Sequence, residues 1–412
     1  MGTAAVIAAG SAATVGGPAG VLSVRPAQFV GKISYSLYLV HWPLLIIPQS
    51  AVGFQDPLPL WLTVLLGVVV AVPVAWLLHI AVEEPLRAAR VLTSRRPRVT
   101  LWGTLGVTVI VAGLVLAAIA WADTREVPTG GAAETVPAFP ISPPPSTEEL
   151  PSNLSPSLDD VATDVPVLYE DGCHHDVATE TVQDCVYGPR DADTTIAVFG
   201  DSHSAQWFPA IRTLAASRGD ASVAAYTKSS CPAVTVTVLD KGVPYESCDR
   251  WREAVLAHLV AAPPDLVLIS SYGSYALADA GEDERAAAWA EGTAETVQRL
   301  RAAGSEVLMI ADTPRFDSAP ATCIATRPMA LLDCAGDRAD VLDASFARAE
   351  AAAAEGAGAR FVDLSSYLCD AMRCPVVIAD LLVYRDVNHL TVRAVNYLAP
   401  ALAGPVEDLL DR

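Results

Sequence analysis

The chain has 412 residues, 52% of them hydrophobic, and a mean hydropathy of +0.36, above what an ordinary soluble protein carries. Its net charge of −20 is unevenly divided: residues 1–122 hold 7 Lys and Arg against 3 Asp and Glu, leaving 20 against 44 for the rest. The strongly acidic remainder repels phosphate and excludes a nucleic-acid partner, while the apolar excess of the first part predicts a lipid bilayer as a partner.

An Ala/Gly-rich stretch at 4–22, interrupted by Gly10, Gly16, Gly17, Pro18 and Gly20, precedes three apolar runs at roughly 33–53, 60–82 and 100–121. Each run reaches the about 20 helical residues that cross a hydrocarbon core. Basic residues set the orientation, because short loops rich in Lys and Arg stay in the cytoplasm. Arg87, Arg90, Arg95, Arg96 and Arg98 crowd the connection between the second and third runs, Arg25 and Lys32 precede the first, and 54–59 has none. The expected course is outward, back and outward again, giving a multi-pass cell-membrane protein with everything after Trp121 extracytoplasmic. Within the runs, His41 reads as a polar position near a kink at Pro43, and His79, Glu83 and Glu84 as structural groups near the inner boundary.

Residues 123–166 carry nine prolines among Ser, Thr, Gly and acidic residues, with almost no hydrophobic periodicity, which predicts a semi-extended, solvated linker. From about 167 to 412, β-rich runs alternate with amphipathic segments. Strands are expected at Thr195–Phe199, Ser222–Tyr226, Asp265–Ser270, Glu306–Ala311 and Arg360–Asp363, and helices at about 205–217, 249–262, 283–303, 340–355 and 391–403. The alternation predicts a three-layer α/β/α domain on a mainly parallel five-stranded sheet, with its site at the carboxyl ends of the strands.

All eight cysteines lie in this part, as neighbours Cys173 and Cys185, Cys231 and Cys248, Cys323 and Cys334, Cys369 and Cys374. Eight cysteines allow 105 connectivities. An even count confined to the part expected outside argues for disulfides, and no compact set of ligands for a metal occurs, even with His174 and His175 beside Cys173.

Two motifs carry chemistry. In Val198-Phe199-Gly200-Asp201-Ser202-His203-Ser204 a strand ends in Gly-Asp-Ser and turns into a helix, which puts the Ser202 hydroxyl at the sheet edge beside helix amides that can meet an oxyanion. Asp201 and Ser202 would serve equally as helix caps. Near the C-terminus, Asp386-Val387-Asn388-His389 offers a base for a serine nucleophile and a carboxylate to fix its tautomer.

Together these blocks resemble the first and last motifs of the SGNH hydrolase family, in the variant fused to membrane acyltransferases, over about 167–412. The resemblance implies a flavodoxin-like fold, Ser202 as nucleophile, His389 as general base and Asp386 as its orienting acid. Thr227-Lys228-Ser229-Ser230-Cys231-Pro232 and Cys248 followed by Trp251 are also similar, and His203 marks the fused variant and would shape the pocket. The family's oxyanion asparagine is missing, since Asn153, Asn388 and Asn396 are the only asparagines and none follows the third strand. Candidates around the oxyanion and pocket are therefore Asp201, His203, Ser229, Ser230 and Ser271, with the backbone amides near Ser202. Gly31-Lys32-Ile33-Ser34-Tyr35-Ser36-Leu37-Tyr38-Leu39-Val40-His41-Trp42-Pro43 and Glu83-Glu84-Pro85-Leu86-Arg87 resemble the C-terminal portion of the acyltransferase-3 membrane family, whose earlier helices would precede Met1.

The resemblance implies an extracytoplasmic O-acyltransferase that modifies a cell-envelope glycan, with no tightly bound cofactor, an acyl (acetyl) donor, and room for a separate membrane subunit that supplies it. A membrane-anchored esterase or deacetylase, or a glycan-binding module with little turnover left from a truncated fusion, are the alternatives.

Overall fold

The computed structural model describes residues 22–52, 58–88, 97–123 and 127–411; most of the 4–22 stretch, and Arg90, Arg95 and Arg96, lie outside them. The chain forms two units, Met1–Glu126 and Val127–Arg412.

In the first unit, three helices are long and apolar enough to cross a membrane, over Arg25–Gln49, Leu60–Arg87 and Leu101–Ala118. The second contains π-helical turns at Leu65–Val70 and His79–Glu83. It packs on the first through small residues, with Ala71 and Ala75 buried against the partner helix that buries Ile33 and Ser36. Polar groups add a link: Ser36 Oγ donates to Glu83 Oε2 (2.7 Å), which also meets His79 Nδ1 (2.9 Å), while Arg87 pairs with Glu83 and Lys32 with Glu84 (3.5 Å). His79 and both glutamates thus join the two helices through side-chain contacts. His41 Nδ1 lies 2.9 Å from Leu37 O on its own helix.

The second unit is built on a seven-stranded sheet. Its strands are β1 (His174–His175), β2 (Cys185–Tyr187), β3 (Thr194–Gly200), β4 (Ala221–Lys228), β5 (Leu266–Ser270), β6 (Glu306–Ile310) and β7 (Arg360–Val362). The five long-range strands run parallel in the order β4-β3-β5-β6-β7, with β1 and antiparallel β2 on the outer side of β4. The two edge strands were not expected: at two and three residues they are too short to leave a period-2 signature. The principal helices are α1 (Ser202–Arg218), α2 (Glu246–Ala261), α3 (Arg285–Ala303), α4 (Ala344–Gly356) and α5 (Val392–Leu410).

The central strands are apolar on both faces, as a covered parallel sheet requires. Ile196, Val198, Leu266, Leu268, Leu308 and Ile310 point into the layer with α1 and α5, while Ala197, Phe199, Val267, Ile269, Val307 and Met309 point into the layer with α2, α3 and α4. Numbered along the chain, the parallel strands stand in the order 2-1-3-4-5. Chain direction therefore reverses beside the first of them, β3, and opens a crevice at its carboxyl end.

The expected linker is a correction. Residues 127–166 lie on the domain: Leu150 and Val161 are buried in its core, with Val127, Val136, Leu154 and Leu158 packed against it. Their backbone is bonded to distant segments, Leu150 N to Pro328 O (2.6 Å), Ser155 N to Asp380 O (2.8 Å) and Leu382 N to Ser155 O (3.0 Å), and Tyr397 Oη accepts from Ile141 N (2.9 Å). Prolines hold this strap extended and carry no N–H, and the amides of Val136, Ile141, Leu150 and Ser155 find partners on the domain. Its anchors at 150, 154, 158 and 161 are diluted by polar residues, and composition alone conceals them.

All eight cysteines are paired with their neighbours: Cys173–Cys185, Cys231–Cys248, Cys323–Cys334 and Cys369–Cys374. The first ties the β1 edge to β2, and the second ties the turn after β4 to α2. A further clamp is ionic. Lys228, fully buried at the end of β4, directs its ammonium to the carbonyls of Asp176 (3.1 Å), Val177 (3.0 Å) and Thr179.

Lys228→Met would fill the same volume but leave three carbonyls without their donor. We expect a loss of about 2–4 kcal/mol, read as a lower denaturation midpoint of the full chain in detergent; an unchanged midpoint would show that the clamp contributes nothing.

Candidate active site

The turn from β3 into α1 is shaped by a close approach of backbones. Gly200 has φ 141°, and a Cβ there would lie 2.6 Å from Ser204 Oγ and 3.1 Å from Ser270 O. The Ser204 hydroxyl fills that space, 2.7 Å from Phe199 O and 2.6 Å from Ser270 O, and accepts from Ser270 N (2.8 Å). It thereby locks β3 to β5 where they end.

Asp201 caps α1. Its Oδ1 accepts from His203 N (2.8 Å), and its Oδ2 from Tyr272 N (3.0 Å) and Tyr275 Oη (3.0 Å). Burial raises its pKa, opposed by the nearby His203 charge and these hydrogen bonds. A carboxylate spent on three donors cannot donate to an oxyanion, so Asp201 leaves the list of oxyanion candidates and becomes the brace of the turn. Ser202 follows as the first residue of α1, half-buried at the sheet edge.

Asp386 and His389 share one loop before α5. His389 Nδ1 lies 2.8 Å from Asp386 Oδ2 and 3.0 Å from Oδ1, and Oδ1 also accepts from the amides of Asn388 (3.0 Å) and His389 (2.9 Å). Burial acts to raise the Asp386 carboxyl, but the hydrogen bond and charge of His389 hold it well below the usual range. His389 is pushed down, by burial first, against the pull of Asp386. The loop is tied to its surroundings by Thr313 Oγ1 to Asn388 O (2.9 Å) and Phe316 N to Val387 O (2.7 Å). It is also docked on α1, because Gln206 Oε1 accepts from Leu390 N (3.0 Å). Gln206 lies one turn beyond Ser202, so both occupy the same face of the helix. His389 Nε2 is buried and has no partner; no hydrogen bond joins it to Ser202.

A second histidine–carboxylate pair stands beside the first. His203 Nδ1 is 2.6 Å from Asp312 Oδ1, and its ring lies 4.7 Å from that of His389 and 5.2 Å from that of Tyr272. Burial lowers the His203 pKa, yet Asp312, Asp201 and Asp386 together outweigh it and the net shift is upward. Asp312, Gln206, Tyr272 and Tyr275 were not singled out from the sequence. Asp312 alone left a signal, an acid at the carboxyl end of an expected strand.

The remaining candidates divide. Ser271, directly after β5, has a buried hydroxyl with no partner. Ser229 Oγ is engaged with His174 Nε2 (3.1 Å), and Ser230 occupies a left-handed turn at φ 55°. His174, whose Nδ1 meets Thr227 Oγ1 (3.0 Å), is driven down to about 3, by burial first and then by the charges of His389 and His175. A cleft of about 1140 Å³ adjoins this centre through Gly273, Asp312 and Thr313, although neither Ser202 nor His389 lines it. Glu350 at its wall is raised to about 8, chiefly by burial, and accepts from Trp289 Nε1 (2.8 Å). Among the described residues no group of three His, Cys, Asp or Glu side chains is disposed to hold a metal ion.

A 2-1-3-4-5 parallel sheet with Gly-Asp-Ser ending its first strand and Asp-x-x-His opening its last helix defines an SGNH-type α/β/α domain. The chain belongs to the family described as SGNH domain (fused to AT3 domains), which matches residues 172–404 and so more than half its length. That membership supports an enzyme of the hydrolase or acyltransferase type. Among solved structures it is similar to the periplasmic domain of a lipopolysaccharide acetyltransferase of Salmonella ser. Paratyphi A. That likeness has 14% identity and a TM-score of 0.43, and covers 53% of this chain and 85% of that one. No curated protein matches.

The electrostatics make a direct prediction. With ¹⁵N-histidine labelling of the full chain, whose seven histidines give a small spectrum, His389 should titrate below its ordinary 6.5 and His174 near 3. A His389 midpoint above 6.5 would mean that Asp386 outweighs burial.

Proposed function

We propose that this protein is a membrane-anchored, extracytoplasmic O-acyltransferase that moves an acyl group, in the simplest case acetyl, onto a hydroxyl of a cell-envelope polysaccharide through an acyl-enzyme on Ser202. The observation that carries the reading is the Asp386–His389 pair, whose buried, unpartnered Nε2 belongs to a loop docked on the Ser202 face of α1. In the first half-reaction His389 Nε2 takes the Ser202 proton as Oγ adds to the donor's carbonyl carbon, and returns it to the leaving group. In the second, the same nitrogen takes the proton of an acceptor hydroxyl as that oxygen attacks the Ser202 ester, and restores it to Ser202. Asp386 holds Nδ1–H, which leaves Nε2 free to accept.

If water resolves the ester, the same groups make the protein an esterase. One observation favours a third reading, a glycan-binding module with little turnover: no asparagine stands after β5 to donate to the oxyanion. In the transferase reading the acyl donor is a substrate, delivered from the membrane side by this chain or by a separate subunit. The basic residues of 87–98 and the four disulfides support an outward placement of 127–411.

Acetate release from 4-nitrophenyl acetate by the full chain in detergent tests the chemistry. Ser202→Ala should abolish it, His389→Ala should lower kcat nearly as far, and Asp386→Asn should lower it by about 10³- to 10⁴-fold; wild-type turnover in Ser202→Ala would leave the binding module as the reading. Placement is checked by adding a membrane-impermeant maleimide to intact cells before and after reduction. Labelling confined to reduced cells is expected, and labelling confined to lysed ones would put the domain inside.

A further inference from the structure

A second imidazole stands beside the Asp386–His389 pair. His203 extends from the first turn of α1 toward the loop after β5, and its ring lies between Tyr272 of that loop and His389. It is 1% exposed. Its backbone is fixed by Asp201 and its Nδ1 by Asp312. Its Nε2 is buried with no partner, and an orphaned polar atom of this kind is an exception in folded proteins that calls for a ligand.

Building on the Ser202 acyl-enzyme reading, we propose that His203, oriented by Asp312, is the side-chain donor to the acyl oxyanion and replaces the missing asparagine. As Ser202 Oγ bonds to the carbonyl carbon, the π electrons of the C=O move onto its oxygen. His203 Nε2–H donates a hydrogen bond to that oxygen and keeps its proton, while the Ser202 proton goes to His389. No other group changes protonation in the step.

The surroundings of the two rings separate their tasks. Asp312 faces His203 from the end of β6, Asp201 from its own turn and Asp386 from the last loop, and all three favour the imidazolium against burial; the His389 ring stands beside it, and Tyr272 N–H and Tyr275 O–H donate to Asp201. The net shift is upward for His203 and downward for His389. Neighbouring rings thus shift apart, His203 toward the charged and His389 toward the neutral form, the pattern by which one site holds an acid and a base at the same pH. A charged donor also gives a stronger hydrogen bond than an amide.

The experiment is the pH profile of kcat and KM for 4-nitrophenyl acetate with the full chain in detergent, on wild type, His203→Gln, His203→Ala and Asp312→Asn, with Ser202→Ala and His389→Ala in parallel. Wild type should be bell-shaped, the acid limb set by His389 and the alkaline limb by His203. His203→Ala should lower kcat by about 100- to 1,000-fold with KM little changed and the acid limb retained. His203→Gln, which keeps an N–H but cannot titrate, should recover part of kcat and lose the alkaline limb. Asp312→Asn should move that limb to lower pH.

Wild-type kcat in His203→Ala overturns the proposal, and loss of the acid limb in His203→Gln would make His203 the base instead. Should either variant fail to fold, ¹⁵N shifts of the wild type decide: His203 protonated on both nitrogens at pH 7 is required, and a neutral ring refutes the charged donor. If Ser202→Ala is inactive and His203→Ala unaffected, the donor alone fails; if Ser202→Ala turns over normally, the acyl-enzyme itself fails.

Discussion

The geometry of the site depends on one buried carboxylate. Asp201 accepts from His203 N, Tyr272 N and Tyr275 Oη, so it terminates β3, starts α1 and holds the loop after β5 at once. Leaving such an anion in the interior without its donors is among the more costly changes a fold can suffer. Within this frame the direction of Ser202 is not free: Gly200 permits the sharp turn, Ser204 occupies the space a Cβ would need, and the next residue emerges at the sheet edge at the head of a helix.

Around that turn, the topology brings together groups that are remote in sequence. The 2-1-3-4-5 strand order sets the end of β5 beside β3 and that of β6 next beyond it, so Tyr272 and Asp312 meet His203 from separate loops. The C-terminal loop closes the centre, pinned by Gln206 from α1 and by Thr313 from beyond β6. Two imidazoles consequently stand with ring centroids 4.7 Å apart, each with a carboxylate on Nδ1. Their electrostatic surroundings differ enough to give them opposite shifts, so two similar dyads are not equivalent.

The periphery is fixed by other means. Disulfides tie β1, β2 and the turn after β4, all of which are too short to be held by strand pairing alone, and Lys228 adds a buried ionic clamp there. The Pro-rich strap at 127–166 covers the α1 and α5 layer, donating amides to α5 and to the segments around Pro328 and Asp380. The domain thereby starts at Val127, some forty residues earlier than its β-rich region.

Much of this was legible in the chain before any coordinates. The apolar runs, the five central strands, the long helices, the presence of disulfides though not their connectivity, and the Asp386-x-x-His389 contact are all local: period, spacing and turn chemistry act over a few residues, and a sequence records them directly. The edge strands β1 and β2 were too short to register, and the anchors of the strap were lost among prolines. Asp201 read as a cap but not as a brace between two strands, and Asp312 was not singled out at all. Their roles arise from contacts across 71 and 109 positions of sequence, which exist only once a parallel sheet has placed β5 beside β3 and β6 beside β5. The reactive groups were thus written in the sequence, whereas their distances, their opposite pKa shifts and the unpartnered nitrogens were decided by tertiary packing, because burial and the proximity of charges are properties of the assembled layers.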